Sequence, residues 1–317
     1  MGGGVLLLLA GAEALVRGAS ALALRLGITP LVVGLTVVAI GTSSPELVVA
    51  IKAALAGQGG VAIGSVVGSN IANLALIVGV SAAISPMLVD RKLVRYDMPV
   101  MLFSMGLLIL FLLDGELGRV EGAVLLAGAI AYLTHSIRSS RQETKAAQRQ
   151  AEDAADRGEA PLAVPDEDDL APVWRNFLFV IGGIALLVYG AELLLSGAVE
   201  LATQLGVSEA VIGLTLVALG TSLPELATTV VAAFRGQGEI ALGNALGSNI
   251  FNTFSVLGPA ALVAPLAGAG VGPDVLAIMV GVALLTLLFL VTGGQTRRWE
   301  GVVLLGLYVA YLWWIVP

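Results

Sequence analysis

Apolar residues fall into ten long stretches separated by short polar breaks, at 4–24, 30–56, 62–84, 97–113, 119–137, 174–204, 210–234, 240–264, 273–292 and 298–316. A helix that crosses a membrane needs about 20 predominantly apolar residues. The pattern predicts an all-α membrane protein with ten transmembrane helices. The first stretch reads as a mature span, not a signal peptide. Glu13 and Arg17 interrupt it, no basic segment precedes it, and no clear cleavage site follows.

The polar interval at 138–173 is different in kind. It carries Arg141, Lys145, Arg149, Glu152, Asp153, Asp156 and the run Asp166-Glu167-Asp168-Asp169. The acidic run lacks the spaced oxygens and central glycine of a calcium loop. The interval is also shorter than the roughly 50 residues at which domains begin. It reads as a solvated, partly helical linker between units at 1–137 and 174–317.

Those two units are copies. Residues 11–80 align with 190–259 without a gap, with 35 identities in 70 positions. Shared Leu and Ala follow from apolar composition alone. Matched Thr, Ser, Pro, Glu and Asn in one register do not. Five spans per unit is an odd number, so the second unit enters the membrane from the opposite side. Inverted repeats of this kind build transporters with a site near the midplane. Of the 16 Lys and Arg, 13 fall on or near the linker's face of the membrane. The positive-inside rule then places the linker in the cytoplasm and both termini outside, with the chain in the cell (inner) membrane.

Composition narrows the chemistry. The chain is 57% hydrophobic and 12% charged, against roughly half and a quarter in soluble domains. It has no Cys, which removes disulfides, thiolate metal sites and cysteine nucleophiles. His135 is the single histidine, and no intramembrane Asp pair is present. An intramembrane enzyme has little to work with, so the chain reads as a non-enzyme. The net charge of −7 sits mostly in loops and does not suggest nucleic-acid binding.

Candidate chemistry lies in the second and seventh spans. Ala39, Thr42, Ser43 and Glu46 share one helical face by their spacing, and Ala218, Thr221, Ser222 and Glu225 repeat it. Pro45 and Pro224 cannot donate to the preceding turn, so carbonyls near Gly41 and Gly220 are expected to be freed. The next span of each unit adds Ser69 with Asn73, and Ser248 with Asn252. Gly64 with Gly68 and Gly243 with Gly247 form small-xxx-small pairs that allow close helix approach. A carboxylate at the bilayer centre costs on the order of 3 kcal/mol, which makes Glu46 and Glu225 the strongest functional signals. The set amounts to an oxygen-only cage suited to hard cations such as Ca²⁺ and Na⁺. Glu13 and Glu192 also match across the repeats. Glu13 has Arg17 one turn on as a partner, whereas Glu192 has only Ser196 there.

The strings GTSSPEL with GSNIAN, and GTSLPEL with GNALGSNIFN, resemble the two alpha-repeats of the cation/Ca²⁺ exchanger superfamily, specifically its prokaryotic sodium/calcium exchangers. The resemblance covers nearly all of both units. It implies ten helices in two inverted five-helix repeats. It also implies ion ligation by Ala39, Thr42, Ser43, Glu46, Ser69 and Asn73 with Ala218, Thr221, Ser222, Glu225 and Ser248, and access switched by sliding of the first and sixth helices. Some members carry Asp where this chain has Asn252, so the core has two carboxylates and not three. The expected function is Ca²⁺/Na⁺ antiport by a monomer embedded in lipid, with the two ions as cargo and no cofactor. Ca²⁺/H⁺ antiport is the alternative, and a passive cation channel a remote one.

Overall fold

The apolar stretches become helices in a computed structural model, which describes residues 2–156, 172–205, 218–268 and 270–315. The first is α1, Gly2–Leu26. The second stretch divides into α2, Pro30–Thr42, and α3, Ser44–Leu55, bent by 45°. Then come α4 at Gly59–Ile84, α5 at Leu93–Asp114 and α6 at Arg119–Asp156. The second half supplies α7, Val173–Gln204; α8, Ala218–Thr221; and α9, Leu223–Phe234. It ends with α10, Gly238–Val263; α11, Pro273–Gly293; and α12, Arg298–Ile315.

Among the described residues, seven helices are long and apolar enough to cross a membrane, or eight with α2 and α3 taken as one span. Part of the expected seventh span, at 210–217, lies outside the described residues, as does the acidic run at 166–169. The tenth stretch forms the 18-residue α12. Two features stand out, a strand pair that the sequence did not predict and a helical start to the linker that it did. A two-stranded antiparallel patch, β1 at Glu116–Leu117 with β2 at Leu266–Ala267, joins two loops, because loop backbone near apolar surfaces must find partners. And α6 does not stop at the membrane. No Gly or Pro interrupts residues 138–156, so the helix continues through Asp156. Its Ser140 accepts the backbone N–H of Thr29 at 2.7 Å, tying the extension to the α1–α2 elbow.

Glycines set the helix contacts, and the contacts are reciprocal. A Cβ on Gly4 would lie 2.8 Å from the Gly190 carbonyl, and one on Gly11 would lie 2.8 Å from that of Gly183. So α1 and α7 pack antiparallel, backbone to backbone. Gly122 of α6 meets Gly258 of α10, while Gly301 of α12 meets Gly79 of α4. Each of these pairs maps onto the other through the 179-residue offset. In the middle stand α4 and α10, whose most apolar windows are 72% and 78% buried, against 28–44% for the other five long helices. Their central polar side chains, Ser69, Asn70 and Asn73 on α4 and Asn244, Ser248, Asn249 and Asn252 on α10, are therefore enclosed by protein.

Candidate cation site

The break in the second stretch is sharper than a proline kink. Ser43 leaves helical geometry (φ −82°, ψ 6°), and Ser222 does the same (φ −89°, ψ 5°). Pro45 and Pro224 then sit in the first turn of the following helix, where the missing N–H is harmless. Glu46 and Glu225 occupy the same first turns, at the positive end of the helix dipole. The face expected to run unbroken from Ala39 to Glu46 is thus bent at Ser43. Nor is the Ala39 carbonyl freed. It accepts the Ser43 N–H at 3.0 Å. Ala218 begins α8, and its side chain lies outside the described residues.

The carboxylates are enclosed, Glu46 at 1% exposure and Glu225 at 0%. They lie within Coulombic range of each other, and the hydroxyls of Thr221 and Ser69 face Glu46. Ser43 crosses between the halves to donate to Glu225 Oε1 at 3.1 Å. The hydroxyls of Ser69 and Ser222 meet at 2.9 Å. Asn252 donates to Ser69 and to Asn70 Oδ1, both at 3.2 Å, and Asn73 donates to Asn249 Oδ1 at 2.9 Å. After these bonds, one set of buried oxygens has no donor among the described residues: both of Glu46, Oε2 of Glu225, Oδ1 of Asn73 and of Asn252, and the Ser248 hydroxyl. Buried polar atoms are normally satisfied, and a hard cation is the partner this oxygen set fits. Among the described residues no three acidic or His side chains come together, so neutral oxygens must complete any cation shell.

Sequence reasoning missed part of this network. Asn70 and Asn249 link α4 to α10. Asn70 donates to the Thr253 hydroxyl at 3.3 Å, and Asn249 to the Asn70 carbonyl at 3.2 Å. Both stand in the matched GSN triplets, so the repeat already carried the signal. Asn244 positions the site from the second half only. It accepts from Thr42 at 3.1 Å and donates to Thr229 at 2.9 Å and to the Glu225 carbonyl at 3.3 Å. Its counterpart is Ser65, and that of Thr229 is Ala50, so no internal comparison pointed to it. Both Asn73 and Asn252 sit at π-helical turns, Ala72–Ile77 and Asn252–Leu257, a distortion common at functional sites.

The glycine pairs behave unequally. Gly243 and Gly247 press α10 against α2, with the Leu31 and Leu35 carbonyls 2.7 and 2.8 Å from their would-be Cβ positions. Gly64 meets only Val271, and Gly68 meets nothing within 4 Å among the described residues. Glu13 pairs with Arg17 at 2.5 Å, as its spacing suggests, and also with Arg235 beyond the end of α9. Glu192 is exposed. A cavity of about 470 Å³ opens near Leu24, Pro86, Gln237 and Glu239, away from every predicted site residue.

The profile of the sodium/calcium exchanger protein family matches residues 1–138 and 175–316. The chain belongs to the sodium/calcium exchanger family. The exchanger is 38% identical to the sodium/calcium exchanger MaX1 of Methanosarcina acetivorans, over 98% of this chain and 95% of that one. It is 37% identical to the inner membrane protein YrbG of Escherichia coli, over 99% and 96%. Its fold matches the sodium-calcium exchanger NCX_Mj soaked with 2.5 mM Na⁺ and 0.1 mM Ca²⁺, with a TM-score of 0.82 and 31% identity over 99% of this chain and 97% of that one.

Proposed function

We propose that the exchanger is a Ca²⁺/Na⁺ antiporter whose two ions compete for one cage between Glu46 and Glu225. The observation that carries this is the set of donorless oxygens on Glu46, Glu225, Asn73, Asn252 and Ser248. Thr42, Ser43, Ser69, Thr221, Ser222 and the backbone at Ala218 complete the oxygen cage or orient it, and Ala39, whose carbonyl is bonded to the Ser43 N–H, acts only in orienting it. Two carboxylates neutralise one Ca²⁺. Left without a cation, the same pair would be costly to enclose. Occlusion, and with it the switch between inward and outward access, therefore requires an occupied cage. The reciprocal glycine contacts support ten helices arranged as inverted repeats at 1–137 and 174–317. The charge pattern supports a cytoplasmic linker at 138–173, and the reading takes the protein as an inner-membrane monomer.

Reconstitution in proteoliposomes tests the reading. An imposed Na⁺ gradient is expected to drive Ca²⁺ uptake, and K⁺ or pH gradients alone are not. Uptake driven only by a pH gradient would instead establish Ca²⁺/H⁺ antiport. Flux without any counter-ion would mark a channel.

Asn252 supplies a second test. With three Na⁺ in a two-carboxylate cage the occupied site carries +1, and with Ca²⁺ it is neutral. In Asn252→Asp these values become 0 and −1. Moving one charge through the field is worth about 2.3 kcal/mol per 100 mV. Voltage dependence is therefore expected to shift from the Na⁺-loaded to the Ca²⁺-loaded half-cycle, as measured under imposed diffusion potentials. The variant also removes two donations, to Ser69 and Asn70, so a loss of stability of about 1–3 kcal/mol accompanies it.

A further inference from the structure

Asp97 is a further acid enclosed by protein, at the start of α5, and the proposed cation cage does not use it. It closes the π-helical turn Leu93–Asp97 that begins α5, and its exposure is 0%. One oxygen accepts a hydrogen bond from the Tyr132 hydroxyl of α6 at 3.0 Å. The other, Oδ2, has no donor among the described residues. One turn beyond Tyr132 the hydroxyl of Ser136 is buried and likewise unpartnered among them. It stands beside the Tyr132 hydroxyl.

The charged surroundings do not neutralise Asp97. Lys92, Asp90 and Tyr96 reach it from its own segment and Glu143 from α6. Lys92 is shared, because its ammonium lies 3.2 Å from Glu143. His135 stacks on Tyr96, centroids 4.4 Å apart. The two other helices packed on this turn, α10 and α11, each hold one ionisable side chain, Glu239 and Asp274, in their first turns. A carboxylate enclosed in the membrane with one donor is unstable unless positive charge joins it. Asp97, Tyr132 and Ser136 offer four oxygens, too few for the 6 to 8 that Ca²⁺ takes. A proton needs no such shell.

The cluster also has a route to the cage. The Tyr132 ring stands edge-on to Phe251 of α10, centroids 6.2 Å apart. Phe251 directly precedes Asn252. Gly128 of α6 gives room to Phe254 in the same way, since a Cβ there would lie 3.1 Å from its ring. Tyr132 and Gly128 of α6 therefore pack directly on the turn of α10 that carries Asn252.

We propose that Asp97, with Tyr132 and Ser136, forms a second ion site that takes up a proton and is separate from the Ca²⁺ cage. Infrared difference spectra of the full chain in lipid test this, recorded at saturating Ca²⁺ between about pH 9 and about pH 6. The wild type is expected to gain a protonated-carboxyl C=O band on acidification. Asp97→Asn keeps an acceptor for Tyr132 but cannot ionise, and should lack that band. Tyr132→Phe should retain the band with its midpoint moved by about one pH unit. The band persisting in Asp97→Asn overturns the proposal. So does a wild-type band that follows Na⁺ at fixed pH. If Asp97→Asn does not fold, an unmoved midpoint in Tyr132→Phe overturns it as well. A failure of the Ca²⁺ reading is seen separately, as carboxylate bands that ignore added Ca²⁺ in both proteins.

Discussion

Glu46→Gln and Glu225→Gln are each expected to abolish Ca²⁺ exchange while leaving the folded protein intact. Glutamine keeps the size of the side chain and one oxygen, and loses the charge. Both sites are enclosed by protein, so bulk water cannot substitute for the missing charge. A divalent ion would face one carboxylate in a setting where removing one partner of a buried charge pair costs about 3–5 kcal/mol. That corresponds to a loss of about two to three and a half orders of magnitude in Ca²⁺ affinity. The two variants should differ in detail. Glu225 keeps a partner in Ser43, so its amide retains a hydrogen bond. Glu46 instead faces the hydroxyls of Thr221 and Ser69, so its amide has only those neighbours to bond. Calorimetric Ca²⁺ titration of the purified variants, followed by flux in proteoliposomes, measures both effects. Normal transport by both variants would remove the cage from consideration.

Gly247→Val is expected to cost nearly as much activity by a different route. A Cβ at this position would lie 2.8 Å from the Leu35 Cα and carbonyl oxygen and 3.0 Å from the Ala39 Cβ. Backbone atoms cannot rotate away, so α10 must separate from α2. Overpacking of this kind costs about 1–3 kcal/mol. The functional loss should exceed what that figure suggests, because the two helices carry Thr42 and Ser248 to the same site. Thermal unfolding in detergent and Ca²⁺ flux should fall together. Gly106→Ala is the matched control. Among the described residues nothing lies within 4 Å of its Cβ position, and the change should leave flux unaltered with a gain of up to about 1 kcal/mol.

These two expectations draw on different sources. Glu46 and Glu225 were legible before any coordinates, because a carboxylate in an apolar stretch is expensive and the same string recurs 179 residues later. The glycines were legible as a motif but not as contacts. Gly243 and Gly247 touch backbone while Gly68 meets nothing within 4 Å among the described residues, and the sequences of the two pairs give no hint of that difference. Asn244 was invisible as a site residue, since its value lies in bonding Thr42, 202 residues away in the chain. Asp97 was overlooked because it falls at the edge of an apolar stretch, where an acid is ordinarily solvated.

By itself the sequence determined the class of solvent, the seven or eight apolar spans found among the described residues, the internal repeat and the two charges at its centre. Those are properties of composition and spacing, and each is enforced locally by the cost of polar groups in hydrocarbon. The tertiary structure alone decided which oxygens remain free. That depends on how each helix is rotated about its axis and on where its partners stand. A bend of 45° at Ser43 and π-helical turns at Asn73 and Asn252 re-aim side chains whose spacing in the chain is unchanged. The donors of Ser43, Asn73 and Asn252 are spent across the interface between the two halves, and the oxygens this leaves over on Glu46, Glu225, Asn73, Asn252 and Ser248 are the ones proposed to hold the cation.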